Sequence, residues 1–466
     1  LLKDEHNILV YRLLLLMLIC APLLWGLSKP ITILSIELLC LPMIWVLVQK
    51  RGVLLNQYAQ LVWLMLILIG LFLLQLMPVP LDIWKAIMGR EAFDEVFNFL
   101  PDDYANRWRA ISLVPEATEK ALLYLLPVVT VFFATLLLDK ILITRLIWLA
   151  FTVAVFQSVL GLVQYGGGIQ LVENVLYTGS ARGTYLNRDH LAGFLVMVFP
   201  VVLAFMASML GYRVQYNTSH RRRWQYLATL EGNQSLIYAV AAILIILCLI
   251  FTRSRAGIAL VMIGLLISLF AFSFRLGRNN NYGVYGSVIA IIIVLAVEIG
   301  LAPVLDRFSV DPMQDLRWEI YSITMRIIGD YFPVGSGMGT FSSIYVGYQL
   351  PNLDGFINHA HNDYLQWALE GGLPMMLLIG FGLYCYFSHW RKVWLPGQWG
   401  GFRYLQVGAG IGIFLYCCIH CWTLVYISRQ IIFISLFFLL SILSIVKEAG
   451  AKPRSAAERS KLVANV

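Results

Sequence analysis

LAGFLVMVFPVVLAFMASMLGY, Leu191 to Tyr212, runs 22 residues without a charge, and the polar run Arg182-Gly-Thr-Tyr-Leu-Asn187-Arg188-Asp-His190 stands directly before it. One helix needs about 20 apolar residues to cross the hydrocarbon core of a bilayer. The stretch therefore reads as a membrane span with two arginines and a histidine at its mouth. Working outward, apolar runs of spanning length recur near 8–26, 31–48, 59–77, 119–138, 141–162, 235–252, 257–274, 283–302, 372–389, 405–425 and 430–446. With the first run they predict about twelve transmembrane helices, an all-α integral membrane protein. The first of them lacks the small-residue cleavage site of a secretory signal peptide and is expected to stay in the chain.

Composition agrees. Of 466 residues, 60% are hydrophobic and 13% charged, more apolar surface than a soluble core absorbs. The net charge of +8 does not point to nucleic acid, because the cations flank apolar spans. All seven cysteines, at 20, 40, 248, 385, 417, 418 and 421, fall within or beside apolar segments without metal-ligand spacing, and read as small core residues.

Alternation of the spans assigns sides. With both termini cytoplasmic, 20 of the 34 Lys and Arg lie inside, which supports that orientation. Of the 14 outside, 11 are Arg; Lys29, Lys85 and Lys120 are the others. Cations on the outer face run against the topology rule and need a reason. Guanidinium, with its planar two-pronged donors, is the better partner for phosphate oxygens, so an anionic, lipid-borne substrate supplies one.

Three outer loops are long enough to build a site. Residues 78–118, with Pro78, Pro80, Trp84, Glu91 and Asp102-Asp103, are expected to cap the bundle. Residues 163–190 run from Gly166-Gly167-Gly168 to His190, and residues 303–371 form the largest loop. Within the last, Asp311-Pro312-Met313-Gln314 reads as a helix start, and Leu316, Ile320, Ile323 and Ile327 repeat at helical spacing. That predicts an amphipathic helix lying along the membrane surface. Gly335-Ser-Gly-Met-Gly339 reads as a flexible turn; it is no nucleotide loop, since no Lys-Ser/Thr pair follows.

The run His359-Ala-His361-Asn362-Asp363 closes this loop, before a helical pattern ending at Gly371-Gly372. Imidazole titrates near neutrality and can take a proton from a sugar hydroxyl. A lone loop histidine more often caps a helix and binds water; arginine runs on the same face tip the balance towards catalysis. Zinc held by His359, His361 and Asp363 lacks an evident fourth ligand. The arginines have bland readings too. Arg253 and Arg255, in the turn Thr252-Arg-Ser-Arg255, could reach headgroups, Arg188 could pair with Asp189, and Arg317 with Asp315 or Glu319. Glu37 and Glu298 lie near the ends of predicted spans, where water reaches.

Three segments together resemble the O-antigen ligase and polymerase superfamily: Gly183-Thr-Tyr-Leu-Asn187-Arg188-Asp-His190-Leu-Ala-Gly193, Thr252-Arg-Ser-Arg255-Ala-Gly257 and His359-Ala-His361-Asn362-Asp-Tyr-Leu365. The resemblance covers roughly residues 140–390. It divides the chain into N-terminal spans (1–140, with loop 78–118), a catalytic membrane domain (141–390, with loop 303–371), and C-terminal spans with a basic cytoplasmic tail (391–466). His361-Asn362, nine residues and Gly372 follow the ligase spacing, while Met375 departs from it. The Asn187-Arg188-Asp-His190 stretch is closer to polymerases serving exopolysaccharide clusters.

The resemblance implies a lipid-dependent glycosyltransferase architecture, GT-C-like, in the bacterial inner membrane with its active site facing the periplasm. It implies inverting transfer from an undecaprenyl-diphosphate-linked glycan to a hydroxyl of an acceptor glycan, with no metal and no cofactor. The acceptor is a lipid-linked repeat or lipid A core; membrane lipids and a chain-length regulator are further expected partners. On this reading His361 is the base, Arg188, Arg255 and Arg317 stabilise the diphosphate, and Arg253, His359, Asn187 and Asn362 bind substrate. A flippase would also gather arginines, but along a midplane cavity rather than at one surface. A structural scaffold would leave the His and Arg placement without a reason.

Overall fold

A computed structural model of the chain describes residues 5–23, 30–93, 99, 108–167, 179–185, 187–211, 230–276, 316–351, 355–394, 399, 401–420 and 434. Its helices are α1 (Glu5–Leu23), α2 (Pro30–Gln49), α3 (Arg51–Leu76), α4 (Leu81–Lys85), α5 (Pro115–Leu136), α6 (Lys140–Tyr165), α7 (Arg188–Gly211), α8 (Leu230–Phe251), α9 (Arg255–Leu276), α10 (Leu316–Tyr331), α11 (Phe341–Tyr345), α12 (Asp363–Val393) and α13 (Gly401–Ile419). Two short strands, β1 (Pro78–Val79) and β2 (Arg109–Ala110), pair antiparallel with Pro78 opposite Ala110. Among the described residues, seven helices are long and apolar enough to cross a membrane: α3, α5, α6, α7, α9, α12 and α13. The chain is an all-α, multi-pass membrane protein. Ten of the twelve expected spans fall on helices. The other two, 283–302 and, apart from Ile434, 430–446, lie outside the described residues.

The Leu191 stretch is the hub. In α7, 94% of the apolar window is buried, because α6, α8, α9 and α13 pack around it. Hydrocarbon tails are as apolar as Leu, so close helix contact in a membrane depends on small residues that let backbones approach. Here Gly408 and Gly412, one turn apart on α13, face α7: a Cβ on Gly408 would sit 2.7 Å from the Pro200 carbonyl oxygen, and one on Gly412 would run into Met197. Gly257 plays the same part at the start of α9, against Ala192. The spacing Gly408-x-x-x-Gly412 was legible in the sequence, and span-counting alone passes over it.

The connections named as outer loops gather at one end of this bundle. Ala181 N–H donates to Phe251 O (2.8 Å), Ser112 N–H to Gln75 O (2.7 Å), and Asp363 N–H to His420 O (3.0 Å). The starts of α7, α9, α10 and α12 therefore share that end with the finishes of α3, α6, α8 and α13. There, β1, α4 and β2 form a cap, closed by Trp84 Nε1–H on Ala110 O (2.9 Å).

Two expectations for the large loop need correction. α10 does not offer its apolar stripe to a membrane surface. Ile320, Ile323 and Ile327 are buried against Phe341, Tyr345, Ala360 and Leu369, so the stripe seals a satellite core built from the loop itself. Leu316, assigned to the stripe, is 63% exposed at the helix start, and the proposed cap at Asp311 lies outside the described residues. Nor is Gly335 to Gly339 a flexible turn. Gly335, Gly337 and Gly339 all have positive φ, and their backbones press on Glu370, Ser112 and Ala117. Ser336 and Gly337 N–H donate to Leu369 and Glu370 carbonyls at 2.9 Å each. Glycine is needed there because a side chain would collide as well as strain the backbone.

Candidate functional site

The polar runs singled out from the sequence become neighbours through α10. Arg317 and Tyr321 are four residues apart, and so on one face of that helix. Arg317 Nη2 makes a 3.5 Å ion pair with Asp189 Oδ2, and Tyr321 OH donates to the main-chain oxygen of His361 at 3.0 Å. The Arg188 run and the His361 run are thus both tied to one face of α10. Asp189, which Arg317 meets, stands 128 residues away in sequence, at the start of another helix.

Arg188 opens α7, half-buried at its first turn. Asn187 starts that helix: its side-chain oxygen accepts from Asp189 N–H (2.9 Å) and its main-chain oxygen from His190 N–H (3.2 Å). One end of the Asn187 side chain is therefore spent on capping. The loop that delivers it is pinned to α6 by two amides on one helix face. Gln157 accepts from Thr184 N–H (2.9 Å) and donates to Thr184 Oγ1 (2.8 Å), and Gln164 donates to Gly183 O (2.8 Å).

Arg255 opens α9, whose Gly257 rests on Ala192 of α7, so the two arginine-bearing helix starts lie side by side. Their partial positive dipole ends reinforce the guanidinium charges. Arg253 has a different setting. Its guanidinium lies against Gly179 and 6.0 Å above the ring of Tyr165, which stacks on Phe251 (4.3 Å between centroids). It braces the 179–185 loop, and its Nε is buried without a hydrogen-bond partner among the described residues.

Among the described residues, only Arg253 (φ 56°) and His361 (φ 54°) adopt positive φ without being glycine. Such a conformation costs on the order of 1–3 kcal/mol and persists where surrounding contacts hold it. For His361 they are plain. Tyr321 holds its carbonyl, and Asn362 is the N-cap of α12, accepting from Leu365 N–H at 3.1 Å. Asn362 is thus a structural cap of α12.

His359 is partly buried, and burial pushes its imidazole below the ordinary histidine pKa; a hydrogen bond with Gln366 and the charge of Asp363 oppose that shift. The three side chains weighed as zinc ligands do not gather: Asp363 points inward to His420 Nδ1, and among the described residues no three His, Cys, Asp or Glu side chains form a ligand set.

Several residues that shape the site went unnoticed in the sequence. Glu370, 2% exposed, accepts from Phe341 N–H and Gln366 Nε2 (3.1 Å each). Gln75, at the end of α3, donates to Glu370 O and accepts from Met338 N–H, both at 2.9 Å. Arg90 is fully buried between Trp84 and Tyr331 (5.3 and 5.7 Å), with Nη2 donating to Ile111 O at 2.7 Å; burial lowers its pKa to about 10. Each is an ordinary polar residue in an apolar or mixed stretch, and only the rarity of polar groups inside spans could have flagged Gln75, Gln157 and Gln164.

Residues 240–380 match the family model described as O-Antigen ligase. The matched stretch contains Arg253, Arg255, Arg317, His359 and His361; the Arg188 run precedes it and α13 follows it. No curated protein matches the chain.

Proposed function

We propose that this chain, whose residues 240–380 are similar to the O-Antigen ligase family, transfers a glycan from undecaprenyl diphosphate to a sugar hydroxyl outside the cytoplasm. The acceptor oxygen attacks the anomeric carbon from the face opposite the diphosphate, and the carbon–oxygen bond to phosphate breaks with its electron pair leaving on the diphosphate. The hydroxyl proton passes to His361, and the anomeric configuration inverts. Arg188, Arg255 and Arg317 stabilise the growing negative charge, each worth on the order of 10²–10³ in rate. Arg253, His359, Asn187 and Asn362 line the approach.

The observation that carries this reading is the bracket made by α10, with Arg317 on Asp189 and Tyr321 on His361. It supports a common locus for imidazole and guanidinium groups from distant stretches of chain. The cations also cluster at helix starts rather than mid-span, which favours an enzyme over a flippase.

Polymerisation of lipid-linked repeats, for O-antigen or exopolysaccharide, is the preferred reaction, on the Asn187-Arg188-Asp-His190 stretch; a chain-length regulator would then be a partner. Ligation to lipid A core has its own support, since the Gly372 of the ligase spacing is where α12 breaks, at φ 59° and ψ −155°. Glycan analysis of a deletion strain separates them. Loss of long chains with single repeats retained means polymerase; accumulation of full-length lipid-linked polymer means ligase.

For the chemistry, the test is turnover in proteoliposomes of the lipid-linked glycan that accumulates in the deletion strain. His361→Ala should slow it by about 10²–10⁴. Arg255→Lys keeps charge but loses the two-pronged geometry, and should also fall sharply. Full turnover by His361→Ala removes the base assignment.

A further inference from the structure

We infer that His420, through its buried pairing with Asp363, is a positioning residue that sets His361 in register with the Arg188 helix. This rests on the reading of His361 as the base. Asp363 follows His361 by two residues and is the first residue of α12, where its chain is held twice by His420. Asp363 N–H donates to His420 O at 3.0 Å, and His420 Nδ1–H donates to the Asp363 carboxylate. Both side chains are buried, about 5% exposed each, so the pair is shielded from water. The His420 ring is steadied on its other side by Tyr416, edge-on at 4.5 Å.

A third tie comes from the next residue: Tyr364 OH donates to Cys417 O at 3.1 Å. The carbonyls at a helix C-terminus lack partners within the helix. Here the finish of α13 receives donors from the residues that follow His361, so the capping of one helix and the start of another are a single joint.

α13 in turn lies along α7, with Gly408 and Gly412 bringing the two backbones together. The chain of contacts therefore runs from Arg188 through α7 and α13 to His420, Asp363 and His361. A second chain runs from Asp189 through Arg317 and Tyr321 to the His361 carbonyl. Two independent braces hold a residue whose backbone would otherwise leave the left-handed region.

The consequence is that His420 acts on turnover rather than on donor binding. A displacement of about 1 Å at a reacting group can cost on the order of 10²-fold in rate. Full-length wild type, His420→Ala, His420→Asn, His420→Gln and His361→Ala would be compared in proteoliposomes with the lipid-linked glycan from the deletion strain. Asn places its amide nitrogen where Nδ1 sits, whereas Gln reaches the position of Nε2. His420→Ala should lose about 10²-fold in kcat with the donor KM within a few-fold of wild type. His420→Asn should recover most of that loss, and His420→Gln much less.

Wild-type kcat in His420→Ala, with His361→Ala inactive, overturns the positioning role alone and leaves the base assignment standing. Full turnover in His361→Ala overturns the base assignment itself. If Asn and Gln are both as inactive as His361→Ala while remaining monodisperse, His420 is itself a proton-transfer group and the positioning role is wrong. Should His420→Ala aggregate, the Asn-over-Gln order decides: Gln equal to or above Asn sinks the inference.

Discussion

The start of α7 and the segment around His361 both meet one face of α10, yet they are held by opposite means. Arg188 is carried by an apolar helix enclosed by four others, so its position follows from side-chain packing and glycine contacts. His361 sits in an unfavourable backbone conformation on a loop, and polar ties from α10, α12 and α13 keep it there. One arm is set by close packing, which tolerates little volume change. The other is set by a few hydrogen bonds, each worth about 1 kcal/mol net. The arginine arm should be stiff and the histidine arm adjustable.

The sharpest way to break the stiff arm is to part α7 from α13. Gly412→Val would drive a branched side chain into Met197 and should lower stability by about 3 kcal/mol or more, read as loss of thermal stability in detergent together with loss of turnover. A Gly412→Val protein with wild-type melting would mean that α13 is not packed as described.

Next comes the joint between cap and bundle. Gln75→Leu removes the acceptor for the buried Met338 N–H and one of the two donors to Glu370 O, which keeps Gly337 N–H. About 1–2 kcal/mol should be lost, seen as faster proteolysis of the 332–345 region, with donor KM little changed.

The adjustable arm gives smaller effects of both signs. Asn362→Ala deletes the cap of α12 and should cost about 1 kcal/mol, with a partial loss of kcat. His361→Gly relieves the left-handed strain and should leave stability unchanged or raise it by up to about 1 kcal/mol while removing turnover. A clear loss of stability in His361→Gly would show that the side chain, rather than the backbone ties, holds the segment.

The smallest effect concerns pH. Burial holds the His359 pKa below its ordinary value, so the folded state favours the neutral ring. Its contribution to stability is complete above the unfolded pKa of about 6.5 and declines as pH falls towards the folded value. His359→Gln should flatten that acid-side decline in melting temperature; an unchanged slope would remove His359 as its source.

Apolar length along the chain was enough to lay out most spans, because a bilayer demands a continuous hydrophobic run whatever it packs against. Ten expected spans fall on helices, and the polar runs at Arg188, Arg255 and His361 were visible as interruptions of that pattern. The start of α12 was legible too, since Asn362 is a natural N-cap before a helical repeat. Local periodicity misled in the large loop, where the stripe of α10 looked ready for a membrane and instead meets Phe341, Tyr345 and Leu369. Periodicity identifies a buried face but carries no information on what buries it.

What the sequence by itself determined is the class of molecule, the apolar runs that became its long helices, and the residue types available at one end of them. The pairings were decided only in three dimensions: Arg317 with Asp189 and Asp363 with His420 join residues 128 and 57 positions apart. Spacing along the chain sets which residues share a helix face, whereas contacts between helices depend on how whole faces pack. His420 therefore looked like one more residue near the end of an apolar run until α13 was laid against the start of α12.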